Sequence, residues 1–495
     1  MINNKIKLKT IVALCFLIVI NKLSAQQVYE DERYVSETDP LVLKKLDQWQ
    51  DLKFGLLMHW GPYSQWGIVE SWSICPEEYS WCERKKGKNP KNYFAYKKEY
   101  ENLQTTFNPV KFNPKKWAKA AKYAGMKYLV FTTKHHDGFS MFDTKYTDYK
   151  ITDFKTPFSK HPKANITKEI FDAFRDKGFW AGAYFSKPDW HHPNYWDPYY
   201  PPKDRNVNYQ PESHPEKWNK YISFTHNQIL ELLTDYGKVD ILWLDGGWVA
   251  KTPKSQITSW YDKQLAKNNN GYLKHRIVNQ DIRMDELVKK ARKKQPGLIV
   301  VDRAVHGKNQ NYLTPENRVP EKALPYPWES CIIAGGGWSY TFNTKYMSTK
   351  KAVHTLIDIV AKGGNLLLNI APSPEGEWDR EAYNLLQGIG DWMKVNNEAI
   401  YSTKAIAPYK YGKVCLTSKT DRSLYLIYLM DENKQTLPDT VSFKNLPAKK
   451  IQKATILGAN GEVKWRKDGD YTVFSIPSSA KTSLKGTVAF TIKLI

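Results

Sequence analysis

Cysteine is scarce in this chain, five residues in 495, and no two stand in a Cys-x-x-Cys pair. That excludes the common structural zinc modules and a dithiol redox centre. Histidines at i and i+4, the helical metal-ligand spacing, are also missing. Long apolar runs are lacking too. The one present, from about Ile11 to Ile20, is about ten residues against the roughly 20 that a membrane span needs, so no transmembrane segment is expected. No low-complexity tract and no repeat of fixed period appears, which argues against a solenoid or a disordered array. Acidic residues are in deficit: 51 Asp and Glu face 74 Lys and Arg, a formal charge of +23.

The N-terminus reads as a cleavable export signal over residues 1–25, with Lys5, Lys7 and Lys9 before the apolar run and Leu23-Ser24-Ala25 after it. The mature chain is expected to start near Gln26, secreted or periplasmic, and no cysteine at the cleavage site suggests a lipid anchor. Losing Lys5, Lys7, Lys9 and Lys22 lowers the charge from +23 to +19. An excess of that size points to an anionic partner or to lysines spread over solvated faces. Nucleic acid is disfavoured by export and by the lack of any recognition signature; sulfated or uronic-acid-bearing polysaccharide fits better. Of the cysteines beyond the signal, Cys75 and Cys82 are close enough to bridge within one loop, and four free thiols are equally compatible with the spacing.

A hydrophobic content of 41 % with 14 % aromatics is ample for burial, and the length implies a large domain and a smaller one. Between about Leu41 and Tyr401 short apolar runs alternate with amphipathic stretches. Strands are expected at Phe54–Met58, Tyr128–Thr132, Ala181–Phe185, Ile241–Leu244, Ile299–Val301 and Leu366–Ile370, with helices such as Pro114–Ala124, Lys168–Lys177, Ser223–Leu233 and Asp285–Lys294 between them. This predicts an α/β fold with a (β/α)8-like, TIM-type barrel over residues 26–401. Beyond Ser402 short β-rich runs separated by turns such as Asn460-Gly461 and Asp468-Gly469 predict a C-terminal antiparallel β-sandwich over 402–495.

The expected strand ends are rich in chemically useful residues. Asp245 follows Trp243-Leu244 and precedes Gly246-Gly247, which places a carboxylate on rigid scaffold and lets a ligand approach the backbone; a lone Asp-Gly-Gly is more often a turn or a helix cap. His135 and His136 lie just past a strand, where both can turn inward and offer a donor or acceptor to a sugar hydroxyl, with zinc binding as the competing reading. His59, in His59-Trp60-Gly61-Pro62, is of the same kind, although a single histidine there is commonly a satisfied core residue. Asp302-Arg303 ends another strand, and Arg303 has the planar fork that orients a carboxylate. Glu316, in Leu313-Thr314-Pro315-Glu316, supplies a second carboxyl on a loop. Two such acids are what hydrolysis of a glycosidic bond requires, one to attack or activate water and one to protonate the leaving oxygen. Tryptophans beside these motifs, among them Trp60, Trp72, Trp190, Trp243, Trp248 and Trp338, can stack on sugar rings or serve as core.

Taken in order, Phe54-Gly55, His59-Trp60-Gly61-Pro62-Tyr63-Ser64, Lys134-His135-His136-Asp137-Gly138-Phe139, Ala183-Tyr184-Phe185-Ser186, Leu242-Trp243-Leu244-Asp245, Asp302-Arg303, Thr314-Pro315-Glu316 and Lys362-Gly363-Gly364-Asn365-Leu366-Leu367-Leu368-Asn369 resemble the α-L-fucosidases of glycoside hydrolase family 29. The resemblance runs from about residue 41 to 401. It implies a retaining double displacement, no metal and no cofactor, and fucosylated oligosaccharide or polysaccharide as substrate; the charge excess extends the expected substrates to sulfated or otherwise anionic members. It puts the nucleophile on Asp245 and, for the branch with relaxed aglycone specificity, the acid/base on Glu316, with Glu329 as the fallback. Fucose-binding positions carry over to His59, His135, His136, Tyr184, Trp243 and Arg303. Trp338 stands beside them, and Glu70 and Trp72 lie where members usually carry Glu-Trp-Tyr and this chain has Glu70-Ser71-Trp72. An α-L-galactosidase and a catalytically silent carbohydrate-binding protein are the alternatives.

Overall fold

The computed structural model describes residues 34–267, 276–432, 434–448 and 450–495; the expected signal lies outside them. Seven strands form one parallel sheet: β1 Phe54–Met58, β2 Tyr128–Lys134, β3 Trp180–Ser186, β4 Ile241–Asp245, β5 Ile299–Asp302, β6 Glu329–Ile333 and β7 Asn365–Asn369. Their order is β5-β4-β3-β2-β1-β7-β6. β1, β2, β5 and β7 are buried along their whole length. Strands buried on both faces read as continuous Val/Leu/Ile runs, which is why they stand out in the sequence.

Helices cover the outside. Pro114–Tyr123 begins with proline, and the Asn113 side chain accepts from the Lys116 amide at 3.2 Å, satisfying a donor the first turn leaves free. Trp117, Ala118 and Ala121 recur at helical spacing and are buried against the barrel. Full burial of a side chain the size of Trp117 makes its truncation to alanine cost about 3–5 kcal/mol.

The expected TIM-like barrel sheet is present, and one stave of it is irregular. β5 and β6 are not paired, and the segment 309–317 fills the gap irregularly. On one side the Asp302 amide donates to the Asn309 carbonyl and the Asn311 amide to the Val300 carbonyl, both at 2.9 Å. On the other, the amides of Glu329 and Cys331 donate to the carbonyls of Leu313 and Pro315 at 2.8 and 3.1 Å. Pro315 has no N–H to give a ladder, so a regular strand cannot form here, yet both sheet edges are satisfied. Among the described residues no helix separates β5 from β6.

The remaining strands are β8 Lys404–Tyr411, β9 Val414–Ser418, β10 Leu424–Leu429, β11 Thr440–Lys444, β12 Ala454–Ile456, β13 Lys464–Asp468, β14 Tyr471–Ser475 and β15 Ala489–Leu494. They form antiparallel sheets of five strands, β12-β15-β10-β9-β8, and three, β11-β14-β13. The sandwich anticipated from the turn pattern is therefore present. Alternation along the strands divides the five-stranded sheet: Leu416, Leu426 and Phe490 face the sandwich core with Phe443 and Phe474, whereas Cys415, Tyr425, Ile427 and Ala489 join the core of the barrel. Trp392 Nε1 donates to the Ala489 carbonyl at 2.9 Å and Thr491 Oγ1 to Asn396 Oδ1 at 2.7 Å across that seam.

Candidate active site

Parallel strands of a barrel end on one face, and here the strand ends meet in a cavity of about 380 Å³. Asp245, Glu316, His59, His135, Trp243, Arg303, Glu70, Trp72 and Trp338 all line it. The other two candidates, His136 and Tyr184, are buried beside it and reach Asp245: Tyr184 donates its hydroxyl to Asp245 Oδ2 at 2.8 Å, and His136 Nε2 lies 3.9 Å from the same oxygen.

Asp245 is the last residue of β4, paired with Ser186 of β3. Gly246 follows at φ +89°, and a Cβ there would sit 2.3 Å from Pro188 Cδ, so the chain can leave the strand closely only without a side chain. Arg303 directly follows β5 and carries the electrostatics of the site. Its Nη1 donates to Asp245 Oδ1 at 3.3 Å, its Nη2 to Glu316 Oε2, and its Nε to Thr314 Oγ1 at 3.2 Å. Its guanidinium carbon lies 5.0 Å from the centre of the Trp243 ring. One side chain thus spans both acids. Trp338 Nε1 donates to Glu316 Oε1 at 3.2 Å, which fixes the second carboxyl from the other side.

Burial would push the Asp245 carboxyl up, but the Arg303 charge, His136, the Tyr184 hydroxyl and the Gly246 amide together hold it well below the usual carboxylate range. It is an anion at any working pH. Burial lowers the histidines: His59 to about 4, His136 to about 3, and His135 well below its ordinary value. All three imidazoles are neutral at pH 7 and offer one donor and one acceptor each. His59 Nδ1 lies 3.1 Å from Asn369 Oδ1, and His135 Nδ1 lies 2.6 Å from Ser71 Oγ. Asn369 also donates to the Trp338 carbonyl at 2.8 Å, tying the end of β7 to the loop that carries the indole. Among the described residues His136 Nδ1 is buried without a partner.

Glu70 sits at the pocket wall, accepts from the Ser339 amide at 2.8 Å, and has its carboxyl raised to about 8 by burial and by the charges of Glu316 and Asp245. Ser71, the residue that breaks the expected Glu-Trp-Tyr order, is the one that holds His135. Glu329 lies elsewhere. It is fully buried at the start of β6 and accepts from Tyr128 Oη at 2.5 Å and Trp243 Nε1 at 3.4 Å, with its carboxyl pushed up to about 7 by burial, and it does not line the cavity. His135, His136 and Asp245 bring ligand-type atoms within 4.8 Å of one another. Both Asp245 oxygens already accept hydrogen bonds, and the neighbouring Arg303 charge opposes a cation, so the set suits hydroxyl groups better than a metal. Cys75, Cys82, Cys331 and Cys415 are free, buried thiols.

The sequence reading missed Arg205 and did not assign Trp248 to the pocket wall, although both line it. Arg205 lies between β3 and the helix Pro215–Asp235, in a stretch without periodicity. Its partner Glu77 and the rings of Trp72 and Trp248 place it. Three guanidinium bonds and the Arg205 amide at 3.0 Å engage that carboxylate.

A model of the α-L-fucosidase family matches residues 21–398. The chain is 27 % identical to the human tissue α-L-fucosidase over 500 residues, covering 95 % of this chain and 94 % of that protein. It is 29 % identical to the human plasma α-L-fucosidase over 390 residues, covering 75 % and 72 %. Among solved structures, α-L-fucosidase isoenzyme 1 of Paenibacillus thiaminolyticus superposes with a TM-score of 0.70 at 29 % identity, over 92 % of this chain and 99 % of that one. A Bacteroides thetaiotaomicron α-L-fucosidase of glycoside hydrolase family 29, trapped as a covalent intermediate, shares the fold with a TM-score of 0.70 at 21 % identity, over 94 % and 98 %. The chain is a glycoside hydrolase and belongs to the α-L-fucosidase family, glycoside hydrolase family 29.

Proposed function

We propose that the protein is a retaining, exo-acting α-L-fucosidase that releases terminal fucose from oligosaccharides or polysaccharides outside the cytoplasm, with the relaxed leaving-group tolerance that accepts aryl fucosides. The observation that supports this most is the Arg303 fork, one nitrogen on Asp245 and the other on Glu316, which joins two carboxyls across one cavity. Asp245 attacks the anomeric carbon as its bond to the leaving oxygen breaks, while Glu316 delivers a proton to that oxygen. Glu316, now a carboxylate, then takes a proton from water, which attacks the anomeric carbon and returns Asp245 as an anion. Arg303 stabilises both acids as charge passes between them, and Tyr184 Oη keeps one Asp245 oxygen oriented.

His59, His135 and His136, all neutral, recognise hydroxyl groups at close range without charge. Trp243, Trp72 and Trp338 supply apolar faces for the C–H side of the ring, and Glu70 adds a buried acceptor or donor.

Turnover of p-nitrophenyl α-L-fucoside, with the matching L-galactoside as control, tests the activity. NMR of the first-formed anomer tests retention. Asp245→Gly should lower turnover by at least 10³-fold with the fold intact, and azide should restore part of it while forming a β-fucosyl azide. An Asp245→Gly enzyme with wild-type rates overturns the assignment.

A further inference from the structure

Arg205 is a cation in the pocket wall that the two-acid mechanism does not use. Its guanidinium carbon lies 4.8 Å from the centre of the Trp72 ring and 5.1 Å from that of Trp248, so two indoles flank it. Nε donates to Glu77 Oε1 at 2.8 Å and to Oε2 at 3.1 Å, and Nη2 to Oε2 at 2.5 Å. Glu77 itself is buried, its side chain only 7 % exposed, and stands on the loop Cys75–Cys82. Nη1, the remaining nitrogen, makes no hydrogen bond to any described residue, and the side chain is 26 % exposed at the cavity. The Trp72 and Trp248 rings also border His136, at 5.2 Å each. The same two rings therefore flank both Arg205 and the histidine that approaches the nucleophile.

Holding a long side chain in one orientation by a bidentate partner and two rings removes the entropy that binding would otherwise cost. Such a device is wasted on a purely structural contact, since Glu77 and the rings already satisfy the other edges. The chemistry of the ligand follows from the charge balance. A guanidinium already matched by a carboxylate has no net charge to offer an anion, but the two N–H bonds of Nη1 are polarised and held in place. That favours a neutral acceptor.

We propose that Arg205, preset by Glu77, is a specificity-determining residue that donates from Nη1 to one hydroxyl of the bound sugar on its His136 side. The inference rests on the fucosidase reading and assigns it an additional contact. A charge-assisted hydrogen bond of this kind, lost from a closed site, corresponds to roughly a 10–100-fold fall in kcat/KM.

The test pairs enzyme variants with substrates lacking one hydroxyl at a time. Arg205→Lys keeps a cation for Glu77 but loses the fork, and Arg205→Met with Glu77→Met removes both partners so that no buried charge is stranded. The two should lower kcat/KM on the p-nitrophenyl fucoside by roughly 10–100-fold. On a single deoxy analogue, either the 2-deoxy or the 3-deoxy fucoside, that penalty should fall below about threefold, because the contact is already gone. An equal penalty on every deoxy analogue would mean a merely structural role and overturn the proposal. A penalty seen only with a sulfated fucoside would make the site an anion site and overturn it as well. Wild-type turnover of the parent fucoside, measured in the same series, reports on the fucosidase reading separately.

Discussion

Replacing Arg303 with methionine keeps an unbranched stem over the Trp243 ring and removes the fork that joins Asp245 to Glu316. Each charge-assisted hydrogen bond contributes about 1.5–3 kcal/mol, so the pair loses about 3–6 kcal/mol. Without the guanidinium the Asp245 carboxyl rises from its depressed value toward the usual carboxylate range. The sign is fixed by the starting point. The Asp245 carboxyl is depressed in the folded state, so its contribution to stability is fully present above the unfolded carboxylate value and is lost as pH falls through the folded one. The variant narrows that gap and is therefore less stable at neutral pH, and with the two acids no longer aligned its kcat/KM falls by at least about 10²-fold. Measuring kcat/KM on the p-nitrophenyl fucoside at pH 7, together with urea unfolding at pH 5 and 7, reads both effects. Wild-type kcat/KM with unchanged unfolding refutes the claim that Arg303 holds the two acids.

Glu316→Ala should slow alkyl fucosides or oligosaccharides by at least 10²-fold more than aryl fucosides with good leaving groups, as a Brønsted series would show. Glu70 has a carboxyl raised to about 8, so in the folded state it keeps a proton that the unfolded chain releases above about 4.5; its burial destabilises the fold increasingly as pH rises through that window. Glu70→Gln should remove the effect, making the variant more stable than the wild type at pH 9 by up to about 4 kcal/mol and little different at pH 4.5, read by urea midpoints. Lys134 and Asp189 form an ion pair at 3.0 Å with side chains 0 % and 3 % exposed, so Lys134→Met should cost about 3–5 kcal/mol by leaving a buried carboxylate without its cation. Denaturant unfolding that moves by less than 1 kcal/mol would show the pair to be dispensable.

Local chemistry accounts for what was legible beforehand. Phe54–Met58 was placed to the residue, and β2 to β5 and β7 within one or two residues at each end, because fully buried strands are uninterrupted apolar runs. β6 begins Glu329-Ser330-Cys331 behind a proline-rich stretch, and the acid that hides it is satisfied by Tyr128 and Trp243 from distant strands. β13, Lys464–Asp468, is exposed at every position and carries an edge of charged side chains, so no alternation marks it. All eleven candidate site residues gather at one place because they sit at or near strand ends, or on loops leading from them, which barrel geometry aligns. Arg205 escaped because its position depends on Glu77, 128 residues earlier, and pairing over that separation leaves no trace in local spacing.

The two acids are anchored to parts of the scaffold that obey different rules. Asp245 belongs to a regular ladder, with Ser186 opposite it and Leu244 opposite Asp302, so moving it by one position would turn a whole strand inside out. Glu316 rides on the irregular stave between β5 and β6, bound to its neighbour around Cys331 by two amides and hinged on a proline. Adding or deleting a residue in the turn 303–309 would slide the Glu316 carboxyl along the rim while leaving Asp245 where it is, so one acid of the pair can be moved by remaking a turn and the other only by remaking a strand.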